Sequence, residues 1–245
     1  MSLVDLFLCP LQLAPPFRSD MKKIIMSLLA VVTMSTPALA DPKLTKGYYT
    51  LDALGCMLLR ECTDGVKQVY TILDISSEYP NIDDFYIIAD EFNNMLLSLN
   101  KVGVKVFLAE EKYFPPGHRG VYHTVGNNFF LNKSFMTRPS TVMSVMRHEG
   151  WHAAQDCMAG TIDNSMIALI MDEEKVPTIW QKIAEASYTS TPHAIPWEKE
   201  ATWAGKTAGM TQKALAACAD GEMWKVYEPT PLTRKWLIEN NYIDK

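Results

Sequence analysis

The stretch Arg147-His148-Glu149-Gly150-Trp151-His152 constrains this chain more than any other. Two histidines four positions apart face the same way when they sit on a helix, where their imidazoles stand one turn apart and converge on a single point. Such a pair suits a tetrahedral zinc ion, so the spacing demands a helix here and a further ligand from elsewhere in the fold. Glu149 lies next to the first histidine, beside such a metal rather than on it. From there its carboxylate can take a proton from a water acidified by the metal and pass it to a leaving amine. Zinc brings the pKa of that water down toward about 7, which makes a nucleophile available near neutrality without serine or cysteine.

The surrounding residues support the helix. Pro139-Ser140 precedes it, with Ser140 as the expected cap, and the helix should run to about Cys157 and close at Gly160. Met143, Val145 and Met146 read as its core-packing residues. Ahead of it, Gly120 to Val125 and Phe129 to Leu131 flank Gly126-Asn127-Asn128, the pattern of a hairpin or a kinked pair of strands. Val104 to Leu108 predicts a short buried strand, and residues 83 to 99 a long amphipathic helix with an acidic start and Gly103 as its stop. Leucine spacing predicts a first helix from Tyr48 to Cys62, while residues 66 to 74 fit strand or helix equally. Later helices are expected over Ile162 to Tyr188, interrupted near Pro177, and over Trp197 to Ala219, with a polar loop at Tyr188 to Pro192. Strands early and helices late give an α+β fold, with a small mixed or antiparallel sheet packed on several helices.

The chain opens with a second distinctive pattern. Met21-Lys22-Lys23, the apolar run Ile24 to Val32, and Thr36-Pro37-Ala38-Leu39-Ala40 form the three parts of a secretory signal peptide. Residues 21–40 therefore predict export, secreted or periplasmic, with cleavage after Ala40. Residues 1–20, with Asp5 and paired prolines, read as an extension ahead of a true start at Met21, or as a long start to the signal itself. The mature chain, 41–245, is expected to form one domain and to have no membrane partner, since no further run of roughly 20 apolar residues follows. Residues 1–40 hold three basic and two acidic residues, so 20 basic and 26 acidic residues remain, a formal charge of −6. An acidic surface argues against a nucleic-acid partner. Cys9 leaves with the leader; Cys56, Cys62, Cys157 and Cys218 form an even set in an oxidising compartment, which predicts two disulfides. Their connectivity stays open, because a continuous helix over 51–62 would hold Cys56 and Cys62 about 9 Å apart, beyond bridging reach.

His148-Glu149-Gly150-Trp151-His152 resembles the signature of the zincin metallopeptidases, a His-Glu-x-x-His on an active-site helix. The resemblance covers this helix, the strand before it and a later glutamate. It implies a zincin-like fold, one zinc ion per chain as cofactor, and an edge strand, here within Gly120 to Leu131, that binds the extended substrate. It also implies a third protein ligand. The branch with a histidine six residues after the second ligand does not fit, since Gln155 and Met158 stand in the relevant places. The branch with a glutamate from a later helix fits Trp197-Glu198-Lys199-Glu200-Ala201-Thr202, where Glu198 with Ala201 matches the family pattern and Thr202 departs from it at the acidic position. The third ligand is thus Glu198 or Glu200, with His193 a further candidate. Small residues at Ala201, Ala204, Gly205 and Ala208 would let this helix approach the zinc helix closely.

The resulting expectation is an exported zinc-dependent metallopeptidase that hydrolyses peptide or protein substrates, with Glu149 as catalytic base. Two alternatives use the same residues: a zinc hydrolase of cell-wall peptide amides, and a non-catalytic zincin-fold binding protein. Tyr122, His123, Tyr188 and His193 are chemically able to stabilise an oxyanion. Arg147, Gln155 and Asp156 are placed to orient ligands.

Overall fold

The computed structural model describes residues 53–245; the signal peptide, the start at Met21 and residues 48–52 of the first expected helix lie outside them. In chain order the elements are α1 (Ala53–Leu58), β1 (Val66–Gln68), α2 (Leu73–Ser76), α3 (Ala89–Lys101), β2 (Lys105–Ala109), β3 (Gly120–His123) and β4 (Asn128–Asn132). They continue with α4 (Pro139–Met158), α5 (Thr178–Ser187), α6 (Ile195–Ala204), α7 (Met210–Ala219), α8 (Met223–Val226) and α9 (Pro231–Glu239). The architecture is α+β.

The sheet is mixed, with spatial order β1-β2-β4-β3. β1 and β2 run antiparallel, β2 and β4 parallel, and β4 and β3 antiparallel with Tyr122 opposite Phe129. Alternation of side chains across the pleat divides the sheet residues between two apolar layers. Val106, Leu108, Tyr122, Phe129 and Leu131 enter the main core with α3 and α4. Phe107, Ala109 and Phe130 face the other way, onto Met57, Leu58, Tyr113 and Phe114. The turn between β3 and β4 falls where the sequence places it, with Asn127 at φ 51°. Among the described residues β3 pairs with β4 alone and stands at the end of the sheet, so one of its edges looks outward, toward α4.

α4 passes through the middle of the molecule. From Gly150 to Asp156 all its residues are buried, including Trp151, His152, Gln155 and Asp156. Its start differs from expectation: Arg138 is the capping residue, without a side-chain cap, and Pro139 occupies the first turn, where its missing N–H costs nothing. Arg147 of α4 forms a two-pronged pair with Glu91 of α3, Nε–Oε1 2.7 Å and Nη2–Oε2 2.6 Å. Thr211 of α7 donates its hydroxyl to the Arg147 carbonyl at 2.7 Å. The Cys157–Cys218 disulfide joins the end of α4 to the end of α7.

Several expected boundaries shift for identifiable reasons. α1 ends at Leu58, and Arg60 at φ 59° turns the chain back, so Cys62 comes within 5.3 Å (Cα–Cα) of Cys56 and the two are bridged. Residues 82–88 form a 3₁₀ helix leading into α3 rather than its first turns. Residues 162–172 are not helical. Ala168 N–H donates to the Gln155 carbonyl, while the N–H groups of Ile170 and Met171 donate to the Glu200 carboxylate, so these donors are withdrawn from a helical ladder. The expected helix over Trp197 to Ala219 is two helices, α6 and α7, separated by Gly205 to Gly209, with Gly209 at φ 76°. Ala201, Ala204 and Gly205 are buried as expected, whereas Ala208 is exposed.

Candidate metal centre

Two backbone approaches frame the site. A Cβ at Gly205 would lie 3.2 Å from His148 Cβ and 3.1 Å from the Ser144 carbonyl. The absence of a side chain there brings the end of α6 against α4. On the other side, a Cβ at Gly120 would stand 2.6 Å from Val145 Cγ1 and 3.0 Å from Glu149 Cγ, so glycine also lets β3 approach α4.

α4 presents His148 and His152 one turn apart, with ring centroids 5.0 Å from each other and planes nearly perpendicular. α6 brings Glu198 between them. Its Oε2 lies 3.1 Å from His148 Nε2, and its Oε1 lies 3.4 Å from His152 Nε2. Ligand atoms about 2.0–2.1 Å from a tetrahedral zinc stand roughly 3.3–3.4 Å from one another, so the side chains already have the spacing of a coordination shell. Glu198 Oε2 is buried and makes no properly angled hydrogen bond, which leaves a carboxylate lone pair without the partner a cation would supply. One donor atom from each of the three residues falls within 4.8 Å of the others. The donor set fits zinc: two imidazoles and a carboxylate, with a fourth position open.

The electrostatics are those of a charge cluster in a dry place. Burial disfavours a charged Glu198, but His152 and His148 outweigh it and hold the carboxyl well below the usual range. Burial likewise works against a protonated His152, while Glu198 and then Glu149 lift it to about 9 when no metal is present. Burial raises the pKa of Glu149, only partly opposed by His148 and His152. Glu149 Oε2 accepts the Tyr122 backbone N–H at 2.9 Å, a contact that anchors the carboxylate against the outer edge of β3.

Gln155 and Glu200 form a chain of hydrogen bonds behind His152. Gln155 Oε1 lies 2.8 Å from His152 Nδ1. Since that oxygen can only accept, Nδ1 carries the proton, and in the neutral ring Nε2 is left as a lone pair facing Glu198 and His148. The Gln155 amide nitrogen in turn donates to Glu200 Oε2 at 2.8 Å and to the Trp197 carbonyl at 3.1 Å. Glu200 is 1% exposed and accepts also from Trp151 Nε1 at 3.0 Å, Ile170 N at 3.2 Å and Met171 N at 2.8 Å. It therefore sits outside the cluster that His148, His152 and Glu198 form.

Of the four possible oxyanion donors, Tyr188 is the one at the cluster, its hydroxyl 3.4 Å from His148 Nε2. Burial, followed by the nearby Glu198 and Glu149, keeps that phenol protonated far above neutrality. Tyr122 instead donates its hydroxyl to Asp156 Oδ2 at 2.8 Å, behind the helix. His123 is buried by the turn between β3 and β4, where a Cβ at Gly126 would lie 2.7 Å from its Nδ1. His193 is exposed in a 3₁₀ turn before α6 and is not among the clustered residues. Asp156 and Arg147 thus brace α4 through Tyr122 and Glu91, and Gln155 alone of the three suggested residues touches one of the clustered side chains, His152.

Sequence reasoning anticipated the close approach at Gly205 but overlooked that at Gly120 and Trp151 as a polar partner. The x-x positions of the motif, Gly150 and Trp151, carried the signal: one lets α7 approach, with Thr211 Cγ2 3.0 Å from a Cβ built there, and the other reaches Glu200. The chain matches no protein-family model, no curated protein and no solved structure.

Proposed function

We propose that this protein is an exported, zincin-like zinc metallopeptidase. The observation that carries the reading is the spacing of His148, His152 and Glu198, with His148 and the half-buried Glu149 lining a cleft and Glu149 bound to an edge strand. Zinc held by these three residues would supply Lewis acidity and a water acidified toward neutrality.

The chain's own residues divide the remaining work. Glu149, with its pKa raised by burial, is suited to accept a proton from the attacking water and return it to the departing amine. Tyr188, a protonated hydroxyl next to His148, can donate to the oxygen on which negative charge develops. Gln155 holds His152 in the tautomer that can ligate a metal. The outer edge of β3 lies along Glu149, which takes the Tyr122 N–H, and the other main-chain groups of that edge would bind an extended peptide. Two disulfides among the described residues, and no described helix long and apolar enough to cross a membrane, accord with an exported chain.

Hydrolysis of a quenched fluorescent peptide mixture by the zinc-loaded protein tests the reading. Glu149→Gln is expected to keep one zinc per chain and to lose at least about 100-fold in rate, the scale of general base catalysis. Equal hydrolysis by the variant and the wild type would remove Glu149 from the mechanism.

A further inference from the structure

The cleft above the centre carries cations at its mouth. The chain carries a net charge of −5, yet the mouth of this cleft is lined by Arg119 and Lys206 together with His118. The two cations grow from the backbone next to the two glycine approaches. Arg119 precedes Gly120, whose Cβ position is 3.0 Å from Glu149 Cγ, and Lys206 follows Gly205, whose Cβ position is 3.2 Å from His148 Cβ. They therefore flank the two residues that begin the motif.

Neither cation is ion-paired with a carboxylate among the described residues. Lys206 Nζ donates to Ser144 Oγ at 2.9 Å, one turn before His148. Arg119 lies over the Phe135 ring, 5.6 Å from its centroid. Lys101, Lys112, Lys133 and Lys199 each reach an acidic side chain, whereas Arg60 and Lys213, like Arg119, lie over rings; what sets Arg119 and Lys206 apart is that they share one cleft. The loop carrying Arg119 is pinned: Asn132 donates its backbone N–H to the Arg119 carbonyl at 2.9 Å and its side-chain amide to the His118 carbonyl at 2.8 Å. The cleft encloses about 480 Å³, room for a few residues of a peptide, with Val145 and Ile183 as apolar wall. Two unpaired cations on a held backbone, at the rim of a small cleft, select ligands by charge.

Resting on the peptidase reading, we propose that the cleft takes substrates bearing a carboxylate beside the bond to be cut, and that Arg119 and Lys206 recognise it. The carboxylate comes from an aspartate or glutamate side chain or from the substrate's own chain end; both present the same group.

Binding of four neutral-coumarin-labelled octapeptides to the chelator-stripped protein, followed by fluorescence anisotropy at low salt, tests this apart from catalysis. The peptides alternate alanine with glutamate or with glutamine, each with a free or an amidated carboxyl terminus. Carboxylate-bearing peptides are expected to bind about tenfold more tightly than the uncharged amidated glutamine peptide, the scale of two partly exposed ion pairs. The ratio should fall toward one in Arg119→Gln and Lys206→Met and with added salt, and persist in Lys101→Met, a lysine paired with Asp220. A preference that follows the glutamates assigns the side chain, and one that follows the free terminus assigns the chain end. A ratio near one in the wild type, or a ratio unchanged in both cleft variants, overturns the proposal. Failure of the zinc-loaded protein to cleave any of the four, with the binding ratio intact, would instead count against the peptidase reading alone.

Discussion

Replacing Gln155 by methionine separates the orientation of a metal ligand from simple stability. Gln155 is fully buried and makes three side-chain contacts, to His152 Nδ1, Glu200 Oε2 and the Trp197 carbonyl. Methionine has a similar volume and no strong polar group, so the cavity term is small. Three groups lose a partner: the His152 N–H is left orphaned, the Trp197 carbonyl loses a donor, and Glu200 keeps three of its four donors. An unsatisfied buried group costs about 1–3 kcal/mol. The Trp197 carbonyl keeps its donor within α6, so the His152 N–H sets an expected loss of roughly 1–3 kcal/mol, read by urea denaturation of the metal-free protein. His152 is also freed to rotate and to place its proton on Nε2, where it opposes coordination. Loss of such a partner typically weakens metal binding about 10- to 100-fold, or about 1.4–2.7 kcal/mol. Zinc affinity measured by competition with a chromogenic chelator, at a urea-free condition where the variant is folded, gives the second number. A destabilised variant with wild-type zinc affinity would refute the claim that Gln155 orients His152. Gln155→Glu is a companion: its carboxylate still accepts from His152 but faces the Glu200 carboxylate, so zinc binding should survive better than stability.

Two further outcomes follow from the geometry. Gly120→Ala places a methyl 2.6 Å from Val145 Cγ1 and 3.0 Å from Glu149 Cγ, so a loss of about 1–3 kcal/mol in stability and a lower hydrolysis rate are expected from thermal melts and peptide assays. In the metal-free protein His152 titrates at about 9 against an ordinary 6.5, so its contribution to stability is whole below pH 6.5 and lost as pH rises through 9. Glu198, held below its ordinary 4.5, contributes above that pH and loses its share as pH falls. Metal-free stability should therefore be greatest near pH 5 to 6 and decline toward pH 9, whereas zinc affinity should rise about tenfold per pH unit below 9 as the His152 proton ceases to compete. Urea midpoints and chelator competition at pH 5.5, 7.5 and 9.5 check both signs.

The helix carrying His148 and His152 was legible because a spacing of four on a helix is a geometric statement about two side chains of the same element. The hairpin of β3 and β4 was legible for a similar reason, since strand periodicity and Gly126-Asn127 are local. Glu198 and Glu200 could not be separated by spacing alone, because both lie on a helix wedged in the interior and each finds a buried surface. What divides their roles is the irregular segment at Ile170 and Met171, whose N–H groups claim Glu200. That same segment was read as helix, since its apolar residues satisfy a helical pattern while the competing acceptor lies 30 residues further along the chain. Likewise the leucine spacing before Cys62 continues past Leu58, but the turn at Arg60 and the disulfide close the helix early. Local periodicity thus described the elements, and long-range capture of backbone donors decided where they stopped.

Zinc stoichiometry in paired variants bears most directly on the central claim, that His148, His152 and Glu198 form one metal-binding set supported from behind by Glu200. Measured by elemental analysis after dialysis against trace zinc, the wild type and Glu200→Gln are expected to hold one zinc per chain, with weaker retention in the latter, and Glu198→Ala close to none. A Glu198→Ala protein that keeps a full equivalent, or a wild type that binds no zinc at all, would contradict the account.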